Sequence, residues 1–115
     1  MNRTSRDSAY LLHICGAIDR IQRYLAGKSE LDFMADELIQ DGVLRNLEVI
    51  GEAVTKLSAE LKSTHSDIPW HEISGMRKRL IHGYMDVNME IVWDTVQKVV
   101  PEFLIRVRQI RDSLH

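Results

Sequence analysis

The sequence predicts an all-α protein, an antiparallel bundle of four or five helices. Apolar residues recur at spacings of three and four along nearly all of the 115 residues, as on the buried face of an amphipathic helix. Only two prolines and six glycines are present and aromatic residues make up 6%, which disfavours a sheet of short strands. No internal repeat or linker interrupts the pattern, so we expect a single domain spanning residues 1–115.

The first helix is expected from about Asp7 to Ala26. Asp7 or Ser8 is a candidate N-cap, because short polar side chains accept hydrogen bonds from the free N–H groups there. Gly27 stands where a C-terminal glycine would end the helix. The core-facing stripe of this helix comprises Leu11, Ile14, Ile18, Ile21 and Leu25.

A second helical region is expected from about Leu31 to about Leu61, with Ser29 as its N-cap. This length exceeds that of a usual globular helix, so we expect a break or kink at Asp41-Gly42. The core stripe beyond that break comprises Leu44, Leu47, Ile50, Val54 and Leu57. A neighbouring polar face comprises Arg45, Glu48 and Glu52.

A third helix is expected from Pro69 to near Gly83, capped by residues 66–67, and a fourth from around Asn88. Pro101 either kinks the fourth helix or opens a final one. The apolar positions of these helices are Trp70, Ile73, Met76, Leu80, Ile81, Ile91, Val92, Val96, Val99, Phe103, Leu104, Val107, Ile110 and Leu114.

Composition limits the partners and the location of the protein. The net charge of −2 argues against nonspecific coating of nucleic acid, so any such contact must be local. The single cysteine, Cys15, cannot form an intrachain disulfide and is expected to be buried and inert. The polar first residues do not resemble a signal peptide, and no apolar run is long enough to cross a membrane. We therefore expect a cytoplasmic protein with no membrane partner.

The most informative segment is Gly75–Met85, which places three cations beside a histidine and a tyrosine in the pattern R-x4-H-x-Y. Arg77 can hold a phosphate through two parallel hydrogen bonds. His82 can transfer a proton near neutral pH. Tyr84 supplies a hydroxyl that can donate, accept or be modified. The combination predicts chemistry on a phosphodiester.

The R-x4-H-x-Y pattern is weaker evidence for a functional site than a metal-binding motif is, because of the geometry of the helix. On an ideal helix, residues five apart lie about 140° apart around the axis, so Arg77 and His82 do not project together. Distortion at the helix end or a neighbouring chain would have to complete the site. The helix dipole favours a charged His82, whereas Lys78 and Arg79 oppose that charge, so we expect a histidine that still titrates near neutral pH.

Other chemistry-bearing residues do not form a recognisable site. His13, His65, His71 and His115 are scattered, without partners at the spacing of a zinc site. Gly75 and Gly83 are isolated, so no glycine-rich phosphate loop is present. We expect no metal and no cofactor.

The chain resembles the HepT-type HEPN-domain proteins, the small helical partners of minimal nucleotidyltransferases in prokaryotic toxin–antitoxin pairs. The resemblance lies in three segments in family order: residues 45–53 (RNLEVIGEA), residues 70–84 (WHEISGMRKRLIHGY), and residues 91–93 (IVW) followed by a turn at residues 99–101 (VVP). It therefore spans nearly the whole chain. It implies a HEPN-like helical bundle that forms a homodimer.

The resemblance also implies a function: the toxin of a type VII-like pair, a metal-independent endoribonuclease acting on RNA such as tRNA or mRNA. Arg77 would bind the scissile phosphate, His82 would act as general acid or base, and Lys78 and Arg79 would bind RNA. The cognate nucleotidyltransferase antitoxin would add AMP to Tyr84, which would block RNA and repel its phosphates. The active site would form where two subunits meet.

One residue departs from the family pattern. The position after the motif arginine is usually uncharged or acidic, often asparagine, whereas this chain has Lys78. That cation either strengthens RNA binding, lowers the pKa of His82, or accompanies weak or absent nuclease activity. Two alternative functions stay open: a non-catalytic helical subunit that docks a nucleotidyltransferase, and a helical dimerisation protein in which the motif is structural.

Overall fold

The computed structural model describes residues 3–81 and 88–114, apart from the side chains of Arg3, Arg77 and residues 79–81. Within these ranges the chain is helical without a β-strand, which confirms the all-α prediction. No described helix combines the length and apolarity that crossing a membrane requires. The elements are α1 Arg3–Leu25, α2 Glu30–Ala35, α3 Glu37–Lys56, α4 Ala59–Thr64, α5 Trp70–Ile81, α6 Met89–Asp94, a π-helical turn Thr95–Val99, and α7 Val100–Ser113.

Helix α3 is the centre of the bundle. It packs against α1 on one side and α5 on another, and α1 also packs against α7. The apolar residues of these four helices meet in one core, in which Leu47, Ile50 and Val54 of α3 are almost fully buried. The stripe that the sequence predicted for α3 is therefore confirmed, although Leu44 is only partly buried.

Local capping follows the sequence closely. Gly27 follows α1 with φ of 73°, a left-handed conformation that residues with a Cβ rarely adopt. Ser29 caps α2 in a reciprocal box: Asp32 N–H donates to Ser29 Oγ at 3.1 Å, and Ser29 N–H donates to the Asp32 carboxylate at 2.9 Å. Asn88 caps α6 by accepting from the N–H groups of residues 90 and 91. These three predicted boundaries are confirmed.

The predicted start of α1 is wrong. The helix begins at Arg3, and Asp7 lies inside it with only 4% of its surface exposed. Its carboxylate accepts from the backbone N–H of Ser58 at 2.8 Å and from the Ser58 hydroxyl at 2.7 Å. Asp7 therefore joins the start of α1 to the end of α3 instead of capping its own helix, so the two helices run antiparallel.

The predicted break at Asp41-Gly42 is also wrong. The chain breaks at Asp36, whose carboxylate accepts from Ile39 N–H at 3.1 Å and so caps α3. Gly42 lies within α3 against the ring of Tyr24; a Cβ at position 42 would lie 3.0 Å from Tyr24 Cε2. The glycine therefore serves close packing of α1 on α3, not chain reversal.

The entry to α5 differs from its prediction as well. Helix α4 extends to Thr64, beyond the predicted end of the second helical region near Leu61. Neither residue of 66–67 caps α5, which begins at Trp70; the Pro69 carbonyl accepts from Ile73 N–H at 3.0 Å. The predicted end near Gly83 lies outside the described residues.

Pro101 lies in the first turn of α7, so the alternative in which it opens a final helix is confirmed, although α7 follows the preceding turn without a loop. The five residues before α7 form a π-helical turn, in which Val100 N–H donates to the carbonyl of Thr95. Because proline lacks an N–H and its ring crowds the carbonyl four residues earlier, a wider turn accommodates it. The turn shifts the helical phase, and Val99 is 46% exposed instead of buried. Ile91, also expected in the core, is 57% exposed in the first turn of α6.

We expect Asp7→Ala to lower the free energy of unfolding by about 2–3 kcal/mol, because it leaves the Ser58 backbone N–H without its carboxylate acceptor. Urea unfolding followed by circular dichroism measures the change. Asp19→Ala is the matched control, since Asp19 lies on the same helix and pairs with the exposed Arg23; it should change stability by less than about 0.5 kcal/mol. Equal effects of the two substitutions would contradict this assignment.

A second pairing, between Asp67 and Arg106, predicts a pH dependence. Arg106 donates to the Asp67 carboxylate at 2.6 and 3.2 Å, and this hydrogen bonding holds the pKa of Asp67 below its ordinary value. A lowered carboxyl pKa stabilises the fold above the ordinary pKa, and the contribution disappears as pH falls through the lowered value. Asp67→Asn should therefore lower the urea midpoint at neutral pH but not at about pH 2. A loss of the same size at both pH values would contradict the pairing.

Candidate functional site

Helix α5 carries the basic part of the R-x4-H-x-Y segment. The backbone of Arg77, Lys78 and Arg79 is helical, and the helix continues through Ile81. His82 and Tyr84 lie outside the described residues, as do the side chains of the two arginines. The Lys78 side chain is described and is exposed.

The exposure of Lys78 follows from the way α5 packs. Ile73 and Met76 are buried, at 5% and 6% exposure, and three residues apart they mark the core-facing side of the helix. Lys78 follows Met76 by two residues, or about 200° of rotation, and so points away from the core. The helix therefore presents a cation to solvent one residue after Arg77.

The first turn of α5 is fixed by three interactions. The indole N–H of Trp70 donates to the His65 carbonyl at 3.0 Å. The Trp70 ring packs edge-on against Phe103 of α7, with 5.9 Å between ring centroids. The paired Asp67 and Arg106 join the preceding loop to α7. The start of the helix that carries Arg77 is thus held to α4 and α7 together.

A second candidate feature is a cleft of 440 Å³ between α1 and α3. The predicted polar face of α3 forms one wall, and Arg45 lies 3.7 Å from Glu48 within it. The other wall holds Tyr10 and His13, whose rings meet edge to face at 5.9 Å. The lining residues are Tyr10, His13, Arg45, Glu48, Val49, Glu52, Ala53 and Lys56.

The sequence predicted one wall of this cleft as a polar helix face, but it did not predict the cleft. The helical spacing of Arg45, Glu48 and Glu52 placed them on one face, whereas Tyr10 was not singled out and His13 seemed isolated. Their approach to α3 depends on the packing of α1, which no local pattern reveals. The cleft holds two cations and two carboxylates, with Lys56 4.0 Å from Glu52, so its charges largely balance. It is not a simple phosphate site.

The middle of α3 is tied to α1 by a polar contact at Asn46, which is 4% exposed. Its amide oxygen accepts from Arg20 Nε at 2.7 Å, and its amide nitrogen donates to the Gly42 carbonyl at 2.8 Å. Asn46 follows Arg45 in the RNLEVIGEA segment. The asparagine is therefore a structural link between the helices, and it holds the adjacent wall of the cleft in place.

Nothing in the described part of the chain is arranged as a metal centre: no three His, Cys, Asp or Glu side chains there are grouped to hold an ion. Cys15 is buried as expected, and this burial raises the pKa of its thiol. A raised pKa disfavours the reactive thiolate at neutral pH.

Comparison with known proteins identifies the family. The family model described as ribonuclease HepT-like matches residues 14–110, which include the whole R-x4-H-x-Y segment. A candidate RNase of Caldanaerobacter subterraneus subsp. tengcongensis is 42% identical over 101 residues, covering 88% of this chain and 90% of the relative. The probable ribonuclease HepT of Thermococcus cleftensis is 35% identical over 111 residues, covering 96% of this chain and 99% of the relative.

A third relative is larger. A Methanocaldococcus jannaschii protein named as both a gamma-glutamylcyclotransferase and a candidate RNase is 36% identical over 105 residues, covering 91% of this chain but only 47% of the relative. No solved structure matches the chain. The range matched by the family model extends from within α1 to within α7 and includes the whole R-x4-H-x-Y segment. The chain therefore belongs to the HepT-like ribonuclease family.

Proposed function

We propose that this protein is a metal-independent endoribonuclease, the toxin of a type VII-like pair, whose single domain cleaves RNA at a site built on Arg77 and His82. The observation that carries the proposal is the family match over residues 14–110, a range that contains both residues. The relatives of similar length are named as ribonucleases, in agreement with this reading.

The chemistry requires no metal because RNA carries its own nucleophile. His82 as a general base removes the proton of a ribose 2′-hydroxyl, and the 2′-oxygen then attacks the adjacent phosphorus. The bond to the 5′-oxygen breaks, and that oxygen takes up a proton from the protonated imidazole or from solvent. Arg77 binds the phosphate oxygens and stabilises the negative charge that develops on them. The products are a 2′,3′-cyclic phosphate and a 5′-hydroxyl.

RNA reaches this site through local charge. Lys78 and Arg79 continue the basic segment of α5, and the exposed Lys78 side chain supplies a contact to backbone phosphate. Because the net charge of the chain is −2, binding depends on this segment more than on the field of the whole protein. We therefore infer that the salt dependence of RNA binding is shallow, because only a small number of phosphate contacts contributes to it.

Two copies of the chain complete the site in this proposal. Arg77 lies within a continuous helix that extends through Ile81, so an ideal geometry separates the directions of residues 77 and 82 by about 140°. In a dimer, Arg77 of one subunit and His82 of the other can face a single phosphate. The homodimer thus removes the angular difficulty that one α5 helix presents.

Tyr84 is the proposed point of control. Its hydroxyl attacks the α-phosphorus of ATP in the active site of a minimal nucleotidyltransferase, pyrophosphate leaves, and Tyr84 carries AMP through a phosphodiester. The added group is bulky and anionic and stands two residues from His82, so it excludes RNA both sterically and by charge repulsion. The nucleotidyltransferase is thereby the antitoxin.

We expect His82→Ala to reduce RNA cleavage by at least about a hundredfold, because it removes the proton-transferring group. Purified protein is incubated with tRNA and with total RNA in EDTA, and the product ends are identified by sensitivity to phosphatase and kinase. Arg77→Ala should cause a comparable loss. Circular dichroism must show that both variants keep the helical fold.

Two controls separate catalysis from contamination and from simple binding. RNA with a single 2′-deoxy sugar should resist cleavage at that bond alone, since the nucleophile is missing. Lys78→Asn, which introduces the asparagine often found at this position in the family, should retain cleavage and shows whether the lysine limits the rate. If His82→Ala cuts RNA as fast as the parent, the catalytic assignment is wrong, and the non-catalytic subunit that docks a nucleotidyltransferase becomes the better interpretation.

Co-expression with a minimal nucleotidyltransferase tests the role of Tyr84. We expect intact-mass spectrometry to show addition of one or more AMP groups to the parent chain and none to Tyr84→Phe. The other tyrosines supply matched controls, because Tyr10→Phe and Tyr24→Phe should still be modified. Modification of Tyr84→Phe to the same extent as the parent would place the acceptor elsewhere.

A further inference from the structure

The first half of α3 borders an open, apolar cavity of 490 Å³ near the end of α1. The lining consists of Tyr24 from α1 and of Leu38, Ile39, Asp41 and Gly42 from α3. Leu38 is 81% exposed and Tyr24 is 37% exposed, so both present apolar surface to solvent. A single exposed leucine is ordinary, but this one stands beside a cavity large enough to receive a further side chain. The cavity is therefore a candidate binding surface.

The spacing of the α3 residues at this cavity is the spacing that receives a side chain of another helix. Leu38, Asp41, Gly42 and Arg45 occupy positions i, i+3, i+4 and i+7, which surround one hole on the surface of a helix. Gly42 contributes no side chain, and a Cβ there would lie 3.0 Å from Cε2 of the Tyr24 ring. The floor of the hole is therefore backbone, and the tyrosine ring forms one wall.

The surface around the cavity is acidic. Residues 29–44 (SELDFMADELIQDGVL) contain five carboxylates and no cation. Asp32 and Asp36 accept backbone hydrogen bonds in the caps of α2 and α3. Glu30, Glu37 and Asp41 are exposed, and none of them forms an ion pair with a described residue. Since Asp41 lies in the cavity lining itself, a cation on the occupant would find a carboxylate there.

The arginines close to this region in the chain have partners of their own. Their pairs, with N–O distances of 2.7, 3.1 and 3.7 Å, are Arg20 with Asn46, Arg23 with Asp19, and Arg45 with Glu48. Arg45 also lines the separate cleft between α1 and α3. Lys28 is exposed between α1 and α2, outside the cavity lining. The charge at the cavity is therefore set by Asp41.

We propose that this cavity binds a basic amphipathic helix of a partner protein, which inserts an apolar side chain between Tyr24 and Leu38 and places a lysine or arginine against Asp41. The occupant is identified by the shape of the hole and by charge complementarity. RNA and anionic lipid surfaces fit less well, because their phosphates would face exposed carboxylates. A second copy of the same surface also fits less well, since it is equally acidic.

The cavity is separate from the site of the proposed nuclease. Its lining residues come from α1 and α3, whereas Arg77, Lys78 and Arg79 lie on α5. The two surfaces also carry opposite charge, so each attracts a different class of ligand. The inference therefore does not depend on RNA cleavage, and substitutions at Leu38 or Asp41 should leave the cleavage rate unchanged.

Binding of a designed peptide tests the proposal. The probe is a fluorescein-labelled helical peptide with leucine along one face and lysine elsewhere, and fluorescence anisotropy gives its dissociation constant for the full-length chain. Leu38→Ser and Asp41→Lys should each raise this constant by at least about tenfold, since one removes the apolar contact and the other repels the lysines. Ile105→Ser and Asp112→Lys are equal changes at exposed residues of α7 and should leave it within about twofold.

NMR spectroscopy locates the bound peptide independently of the substitutions. Titration of the isotope-labelled chain with the lysine peptide should shift the amide signals of Tyr24, Leu38, Ile39 and Gly42, because these residues line the cavity. A second peptide, with glutamate in place of every lysine, should leave the same signals in position. Shifts spread evenly over all acidic surfaces, or centred on α5 or α7, would overturn the proposal.

The remaining outcomes separate the cavity from its alternatives and from the nuclease. Failure of the parent chain to bind the lysine peptide overturns the inference, and so does equal weakening by the α7 variants, which would indicate general attraction to an acidic protein. If Leu38→Ser abolishes a self-association that the parent shows without peptide, the surface is an interface between copies and the proposal is wrong. Displacement of the peptide by RNA would equally contradict it. Peptide binding as expected by a chain that cuts no RNA would refute the proposed function alone.

Discussion

The close packing of α3 between α1 and α5 is the constraint on which the rest of the structure depends. Three different contacts hold α3 to α1 along its length: Gly42 against the ring of Tyr24, the hydrogen bond from Arg20 to Asn46, and the tie from Asp7 to Ser58. They differ in chemistry, which fixes both the register and the direction of the pair. Helix α5 packs against α3 and buries Ile73 and Met76 in the core, which fixes the backbone position of Arg77 on that helix.

The features that the sequence predicted correctly depend on interactions between residues close together in the chain. The caps at Ser29 and Asn88 need only a few neighbouring residues, and Gly27 needs only a left-handed backbone. The family segments supplied the position of Arg77 on a helix. Each of these predictions depends on chemistry within one turn, or on a pattern of residues along the chain, and such features survive whatever the tertiary packing does.

The errors have a common physical origin in long-range packing. Asp7 looked like a cap because its partner, Ser58, is 51 residues away. Gly42 looked like a break because the ring that fills the space above it belongs to another helix. The exposure of Val99 follows from a π-helical turn beside Pro101, which shifts a stripe that simple periodicity would continue. The cleft between α1 and α3 was not predicted for the same reason, because Tyr10 and His13 line it only when α1 packs against α3.

The charge of the chain limits how the proposed nuclease can bind RNA. With a net charge of −2, a polyanion must be bound through a local basic segment, and Arg77, Lys78 and Arg79 on α5 form such a segment. Asp41 and Glu52 are exposed on α3, the helix that packs against α5. Because these carboxylates repel phosphate, the RNA contacts in the proposed function must be confined to the basic segment of α5.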